Sequence, residues 1–183
     1  MKHVFFALIL LLSLRPGPTQ AQSEAPVEKS ERVITENLSR QVLHARAVEW
    51  AKQHFSFGPA SGLQSDPAAG SVRIPGQMVL KLVAGNGKEF ERKAQFEFVF
   101  QATDQGYSYS VGAFRVAADP ENPNALVSFD DYLTQLRAER SVERTKNDRR
   151  ITAQAVSRAS EVALSFRSYM NSRPETEDGE VGL

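Results

Sequence analysis

The chain has 183 residues, with 22 lysines and arginines against 22 aspartates and glutamates, so its formal net charge is zero at pH 7. This balance lacks the basic excess of a nucleic-acid-binding protein and gives no electrostatic attraction to anionic membranes. The absence of cysteine excludes disulfides, thiol catalysis, cysteine-based metal sites and the cysteine that anchors a bacterial lipoprotein.

The first 21 residues have the three-part organisation of a secretory signal peptide. A short basic start precedes an apolar run at residues 4–14, and small residues lead to Ala21. The run of about 11 residues is shorter than the stretch of about 20 that spans a membrane. We expect cleavage after Ala21 and a periplasmic or secreted mature protein without a membrane span. An uncleaved anchor is the alternative.

The next segment is predicted to pass from disorder into a strand and a helix. Residues 22–30 are polar and predict a disordered leader, and residues 31–35 predict a short strand. Ser39 is suited to cap a helix over residues 40–54. One apolar stripe follows this helix and should face a sheet. Its members are Leu43, Ala47, Trp50 and Ala51.

Turn signals then divide a short strand from a longer one. Residues 63–65 predict a strand, and residues 66–70 (DPAAG) have the chemistry of a turn. Residues 71–74 begin the next strand, which Pro75 and Gly76 are expected to interrupt or bulge.

The clearest strand signals surround Asn86-Gly87, a strong hairpin signal. Before it, Met78, Leu80 and Leu82 alternate with other residues, and after it Phe96, Phe98 and Phe100 alternate with polar residues. This period of two places the phenylalanines on a core face. A further strand is predicted over residues 107–116. Its apolar residues are odd-numbered before Gly112 and even-numbered after it, which predicts a bulge there.

The C-terminal third is predicted to be helical. After a loop at residues 119–124, Ser128 and the acids Asp130 and Asp131 are typical of a helix start. Residues 137–150 carry interleaved charges and predict a solvated helix or linker, with an anion-binding patch as the alternative. A final amphipathic helix covers residues 151–170, and residues 173–183 form an acidic, disordered tail.

These elements predict an α+β fold, an antiparallel β-meander with helices packed on one face, followed by a C-terminal helical extension. The α+β domain would comprise residues 31–136. The charged segment and last helix would comprise residues 137–172.

Residues 39–116 resemble a domain family of exported Gram-negative bacterial proteins with a TATA-box-binding-protein-like fold. The resemblance rests on Ala47, Trp50, Asp66 and the segments 70–76 (GSVRIPG) and 104–109 (DQGYSY). It implies the fold alone, because the family has no established activity and carries no functional residues to this chain. Likeness of shape does not confer DNA binding.

No catalytic constellation is readable. His44 and His54 lie about 80° apart around their predicted helix and cannot chelate one ion as an i, i+4 pair would. Asp130 and Asp131 point about 100° apart and are explained by the helix dipole. Residues 85–88 (GNGK) lack the spacing of a phosphate loop and predict a turn. We therefore expect no metal and no cofactor.

The polar side of the sheet is the one feature with binding potential. If helices cover only the other face, this side meets water or a partner. The candidate partner face consists of Lys81, Val83, Gln95, Glu97, Val99 and Gln101.

Three functions remain open from the residues. The favoured one is a non-catalytic interaction module of the cell envelope, using this face or a sheet edge. The second is a carrier of a small apolar ligand or lipid in a cavity between helices and sheet. The third is a cofactor-free hydrolase, ranked last. The oligomeric state is not readable.

Overall fold

The computed structural model describes residues 26–35, 38–138 and 142–172, with the backbone alone at residues 142–145. The predicted signal peptide and acidic tail lie outside the described residues. Six strands and three helices are present in the described part. They are β1 (Lys29–Ile34), α1 (Arg40–Gln53), β2 (Gln64–Asp66), β3 (Ser71–Val83), β4 (Glu89–Thr103), β5 (Gly106–Ala117), β6 (Leu126–Ser128), α2 (Phe129–Ala138) and α3 (Val142–Asn171).

The strands form one antiparallel sheet in the order β1-β5-β4-β3-β2, and β6 pairs with β5 beyond the end of β1. Strands β3, β4 and β5 follow one another as a meander. Helices α1 and α3 pack on the apolar side of these strands. The predicted α+β architecture, with helices on one face and a C-terminal helix, is confirmed. No helix within the described ranges has the length and apolarity to cross a membrane.

The core forms where the helix stripes meet the phenylalanines of β4. Trp50 is fully buried, with its ring centroid 4.7 Å from that of Phe98 and 5.0 Å from that of Phe166 on α3. Phe98 and Phe166 lie 4.9 Å apart. Ile151 and Phe166 share one cluster with the sheet residues. Residues 31–136 and 137–172 therefore contribute to the same core.

Strand β3 neither breaks nor bulges at Pro75 and Gly76, so the predicted interruption or bulge is wrong. The register with β4 continues unbroken from Ser71 to Val83. The backbone N–H of Gln77 points away from β4 and binds Phe57 O at 2.6 Å. Pro75 lies two residues before Gln77, so its nitrogen faces the same edge of β3. Proline is tolerated there because that edge needs no N–H for pairing with β4. Gly76 leaves room for a ring, since a Cβ there would lie 2.1 Å from Phe96 Cζ.

The predicted bulge near Gly112 is confirmed. Gln95 pairs with Arg115, whereas Glu97 pairs with Gly112, so β5 contains one extra residue at this point. Ala113 takes up the irregularity with a φ of 50°. The bulge restores Phe114 and Val116 to the core face.

The elements differ from the predictions at three places. β1 begins at Lys29, inside the predicted leader, and β6 was not predicted. Helix α3 begins at Val142, within the charged segment. That segment is not wholly solvated, because Asn147 and Asp148 are buried.

Asn147 and Gln154 on α3 close the edge of β3 that β2 leaves uncovered. The Asn147 amide accepts a hydrogen bond from Val83 N–H at 2.9 Å and donates one to Val83 O at 2.8 Å. Gln154 does the same at Lys81, with both distances 2.9 Å. Each side-chain amide replaces one residue of a neighbouring strand. This end of the edge is therefore satisfied without a further strand.

We expect Asn147→Ala to lower the free energy of unfolding by about 1–3 kcal/mol, because it leaves both Val83 backbone groups without their partner. Urea titration would measure the change. Asn124→Ala, at an exposed loop position, is the matched control and should stay within about 0.5 kcal/mol of the original protein. An equal effect of the two substitutions would contradict the capping role.

Candidate binding surface

The side of the sheet facing away from the helices forms the candidate binding surface, called here the open face. On β3 and β4 the odd-numbered residues point to it and the even-numbered ones point to the core. Gln95 is exposed, and Glu97, Val99 and Gln101 are half-buried. The strand register places Val99 between Arg73 and Ser110, and Gln101 between Ser71 and Ser108.

Four of the six predicted face residues form one continuous row: Gln95, Glu97, Val99 and Gln101 lie along β4. Lys81 and Val83 also have the parity of the open face, but they lie at the hairpin end, opposite Glu91 and Glu89. The Val83 backbone is held by Asn147. The centre of the face therefore comprises the β4 row and its neighbours on β3 and β5.

Sequence reasoning missed several residues beside this row. Applying the alternation of inward and outward side chains to β1, β3 and β5 as well as to β4 would have identified them. They are Ser30, Arg32, Arg73, Ser108, Ser110 and Arg115.

Basic side chains dominate the middle of the open face. Arg73 donates to Glu97 at 2.6 Å, and this ion pair neutralises both groups. Within the described ranges, no carboxylate forms an ion pair with Arg32, Lys93 or Arg115. Arg115 donates a hydrogen bond to Leu126 O at 3.4 Å. The open face therefore presents three cations that no carboxylate of the described residues pairs.

Two depressions lie on this side of the sheet. One, of about 380 Å³, is lined by residues that include Arg32, Val99 and Ser110. The other, of about 410 Å³, is bounded by Val79 and Lys93 and by the segment that enters β6. Each combines a cation with an apolar side chain. Val79 is 47 % exposed, and Ile34 at the end of β1 is 77 % exposed.

A tyrosine cluster supports β1 from the core side. The Tyr109 hydroxyl donates to Glu31 at 2.7 Å, and Arg167 binds the other oxygen of that carboxylate at 2.8 Å. Burial, followed by the hydrogen bond to Glu31, raises the pKa of Tyr109 above its usual range. Burial also raises the pKa of Tyr107. Burial, with the hydrogen bond and charge of Glu49, raises the pKa of Tyr169 to about 12.

These raised pKa values predict a loss of stability at alkaline pH. An unfolded tyrosine loses its proton near pH 10, whereas folded Tyr169 keeps its proton to about pH 12. Between these values the unfolded chain binds fewer protons, so the free energy of unfolding should fall as pH rises. Urea titrations from pH 9 to pH 11.5 would measure the slope. Tyr169→Phe should make it shallower, and an unchanged slope would contradict the assignment.

The histidines serve packing in this structure. His44 is 7 % exposed, and its Nε2 lies 3.1 Å from the Ser65 hydroxyl. This contact joins α1 to β2 and was not predicted. No third group orients the ring among the described residues, and none of the depressions above contains the pair. His54 is exposed and its ring lies tilted against that of Tyr169, with centroids 4.8 Å apart.

The carboxylates singled out in the sequence have local roles. The Asp131 backbone N–H donates to the Ser128 hydroxyl at 3.1 Å, as in a helix N-cap. That hydroxyl in turn donates to the Asp131 carboxylate at 2.6 Å. Asp66 accepts from the N–H groups of Ala68 and Ala69 in the predicted turn. Across residues 26–35, 38–138 and 142–172, no group of three histidine or acidic residues is placed to hold a metal ion.

No family model and no curated protein matches the chain. Two solved structures are similar. A DUF4468 family protein from Bacteroides ovatus matches with a TM-score of 0.50 and 12 % identity, over 77 % of this chain and 86 % of its own. A TBP-like protein from Parabacteroides distasonis matches with a TM-score of 0.54 and 16 % identity, over 81 % of this chain and 95 % of its own. The chain therefore has a TBP-like fold, as the resemblance in its sequence implies.

Proposed function

We propose that this protein is a non-catalytic interaction module of the cell envelope, and that its open face binds a partner protein. The observation that supports this most is the combination of the uncovered sheet face with three cations that no carboxylate of the described residues pairs. Exposed Val79 and Ile34 add apolar area at its margins. An open sheet face of this composition, with two depressions that can receive side chains, fits a protein partner.

The face is a better docking element than the sheet edges. The outermost strands are short, with three residues in β2 and β6 and six in β1. The uncovered end of β3 is capped by α3, and Gln77 N–H is bound by Phe57 O. Strand addition would therefore find few unpaired backbone groups on the long strands.

The charges of the open face indicate the chemistry of its partner. Arg32, Lys93 and Arg115 stand free of carboxylates in the described part of the chain. A complementary surface would carry Asp or Glu side chains beside an apolar side chain that enters the depression at Val99 or Val79. Such an interface should form faster at low ionic strength than at high ionic strength.

The carrier and hydrolase alternatives have less support. The centre of the helix–sheet interface is filled by Trp50, Phe98 and Phe166, which leaves no space there for a lipid chain. The Ser65–His44 pair lacks an orienting third group in the described residues. The interaction module is therefore the function that the geometry supports best.

The test compares two doubly substituted proteins. Arg32→Glu with Arg115→Glu reverses two charges of the open face. Lys52→Glu with Arg149→Glu makes the same change at exposed positions of α1 and α3. Each tagged protein is used to recover partners from envelope extracts, and recovered proteins are identified by mass spectrometry. Binding to the purified partner is then measured directly.

We expect a partner recovered by the original protein and by the helix variant, with binding about tenfold weaker or more for the open-face variant. That binding should also weaken as salt is added. Equal loss or equal retention with both variants would contradict docking at the open face. Failure of the original protein to recover any partner would contradict the proposed function.

A further inference from the structure

A pocket on the helix side of the sheet lies apart from the open face. It is formed where the end of the β3–β4 hairpin meets α2 and α3, and its volume is about 350 Å³. This volume falls at the lower end of the range for small-molecule sites, about 300–1,000 Å³. We call it the hairpin pocket. The residues that matter to its chemistry are Phe90, Arg92, Tyr132, Gln135, Leu136 and Asn147.

The wall combines apolar with polar side chains. Phe90 is half-buried, while Tyr132 and Leu136 are each 7 % exposed. Ala84 and Ala118 complete the apolar lining. The Asn147 amide is already bound to both backbone groups of Val83. An occupant would therefore meet apolar side chains beside polar ones, and the Asn147 amide is already engaged.

Arg92 supplies the charge of the hairpin pocket. Its guanidinium lies over the Phe90 ring, 4.8 Å from the centroid, and its Nη1 donates to Glu91 O at 3.2 Å. Among the described residues its buried Nε has no hydrogen-bond partner, and no carboxylate forms an ion pair with the guanidinium. An anionic ligand that reaches the Nη atoms from the pocket would therefore add a charge-assisted hydrogen bond.

Two other arginines show why Arg92 differs. Arg40 and Arg158 also have a buried Nε without a partner. However, Arg40 donates to Ala68 O at 2.7 Å, and Arg158 forms an ion pair with Glu161 at 3.1 Å. Neither lines the hairpin pocket. Arg92 alone among these three combines an unbalanced charge with an adjacent apolar cavity.

We propose that the hairpin pocket binds a small organic carboxylate with an apolar body. The carboxylate would accept hydrogen bonds from the Arg92 guanidinium, whose planar fork matches its two oxygens. The apolar body would lie against Phe90 and Leu136. Inorganic phosphate fits less well, because the apolar wall could not replace the water that phosphate would lose.

Hexanoate titrated into the purified protein tests the proposal. Backbone amide signals of pocket residues should shift in NMR spectra, and isothermal titration calorimetry gives the dissociation constant. The apolar control 1-hexanol and the anionic control inorganic phosphate should each bind about tenfold more weakly or worse. Equal binding of hexanoate and 1-hexanol, or tighter binding of phosphate, would overturn the proposed ligand class.

Three variants locate the site. Arg92→Gln should weaken hexanoate binding by about 10- to 100-fold, the value of a charged hydrogen bond. Lys93→Gln removes the same charge one residue along β4, on the open face, and should leave binding unchanged. Gln135→Trp, at an exposed position of α2 that lines the pocket, should block entry without a core substitution.

Thermal unfolding of each variant separates a folding defect from a binding defect. If Arg92→Gln does not fold, Gln135→Trp still decides the location of the site. Hexanoate binding that persists in Gln135→Trp, or that falls equally in Lys93→Gln and Arg92→Gln, would overturn the assignment to the hairpin pocket. The absence of hexanoate binding at millimolar concentration would overturn the proposal itself.

Discussion

Replacing Trp50 by alanine is expected to lower the free energy of unfolding by about 3–5 kcal/mol. The indole is fully buried and contacts the rings of Phe55, Phe98 and Phe166, with centroid distances of 4.7–5.4 Å. Its Nε1 also donates to the Ser165 hydroxyl at 3.3 Å. The substitution would leave a cavity where α1, α3 and the sheet meet, and urea titration would measure the loss.

The matched control is Val42→Ala on the same helix. Val42 is 44 % exposed, so its truncation should change the free energy of unfolding by no more than about 0.5 kcal/mol. A Trp50→Ala protein whose unfolding midpoint equals that of the control would show that the indole does not lie in the core.

Gly106→Ala is expected to lower the free energy of unfolding by about 2–4 kcal/mol. Gly106 has a φ of +140°, and a Cβ there would lie 2.1 Å from Val33 O and 2.9 Å from Thr35 N. Both neighbours are backbone atoms of the segment that pairs with β5, so no side-chain rotation relieves the clash. β1 would have to separate from β5.

Hydrogen exchange would locate this effect. We expect amide protection to fall most in β1 and in the part of β5 opposite it. Gly85→Ala is the control, because a Cβ at Gly85 meets nothing within 4 Å. Uniform loss of protection across the sheet, or an equal effect of Gly85→Ala, would contradict a specific role of Gly106 in holding β1.

The fold was predictable where one physical signal dominated. The phenylalanines of β4 alternate over a long strand, and the α1 stripe returns with helical spacing, so both core faces follow from periodicity. Pro75 shows the limit of local rules. Its effect depends on whether its nitrogen faces a paired strand or a free edge, and that is settled by tertiary structure. The short strand β6 has too few residues to produce a pattern.

The candidate sites also contain residues that one segment predicts and residues that only the tertiary structure brings in. The β4 row of the open face follows from alternation within one strand. Arg32, Arg73 and Arg115 join it only through the register between strands, which a single segment does not reveal. Arg92 is an even-numbered residue of β4, so it points to the same side as the core phenylalanines, and it lies near the hairpin end of the strand. Its lack of a carboxylate partner in the described residues becomes visible only when the side chains are placed in three dimensions.

The contact between Glu31 and Arg167 joins the first strand to the last helix. The ribosome synthesises the N-terminus first, so β1 cannot pair until β5 has been synthesised. The apolar face of the sheet likewise stays uncovered until α3 has been synthesised. Such long-distance pairings are slow to form. We therefore expect the nascent chain to remain incompletely folded until α3 has emerged, and to depend on a holding chaperone during that interval.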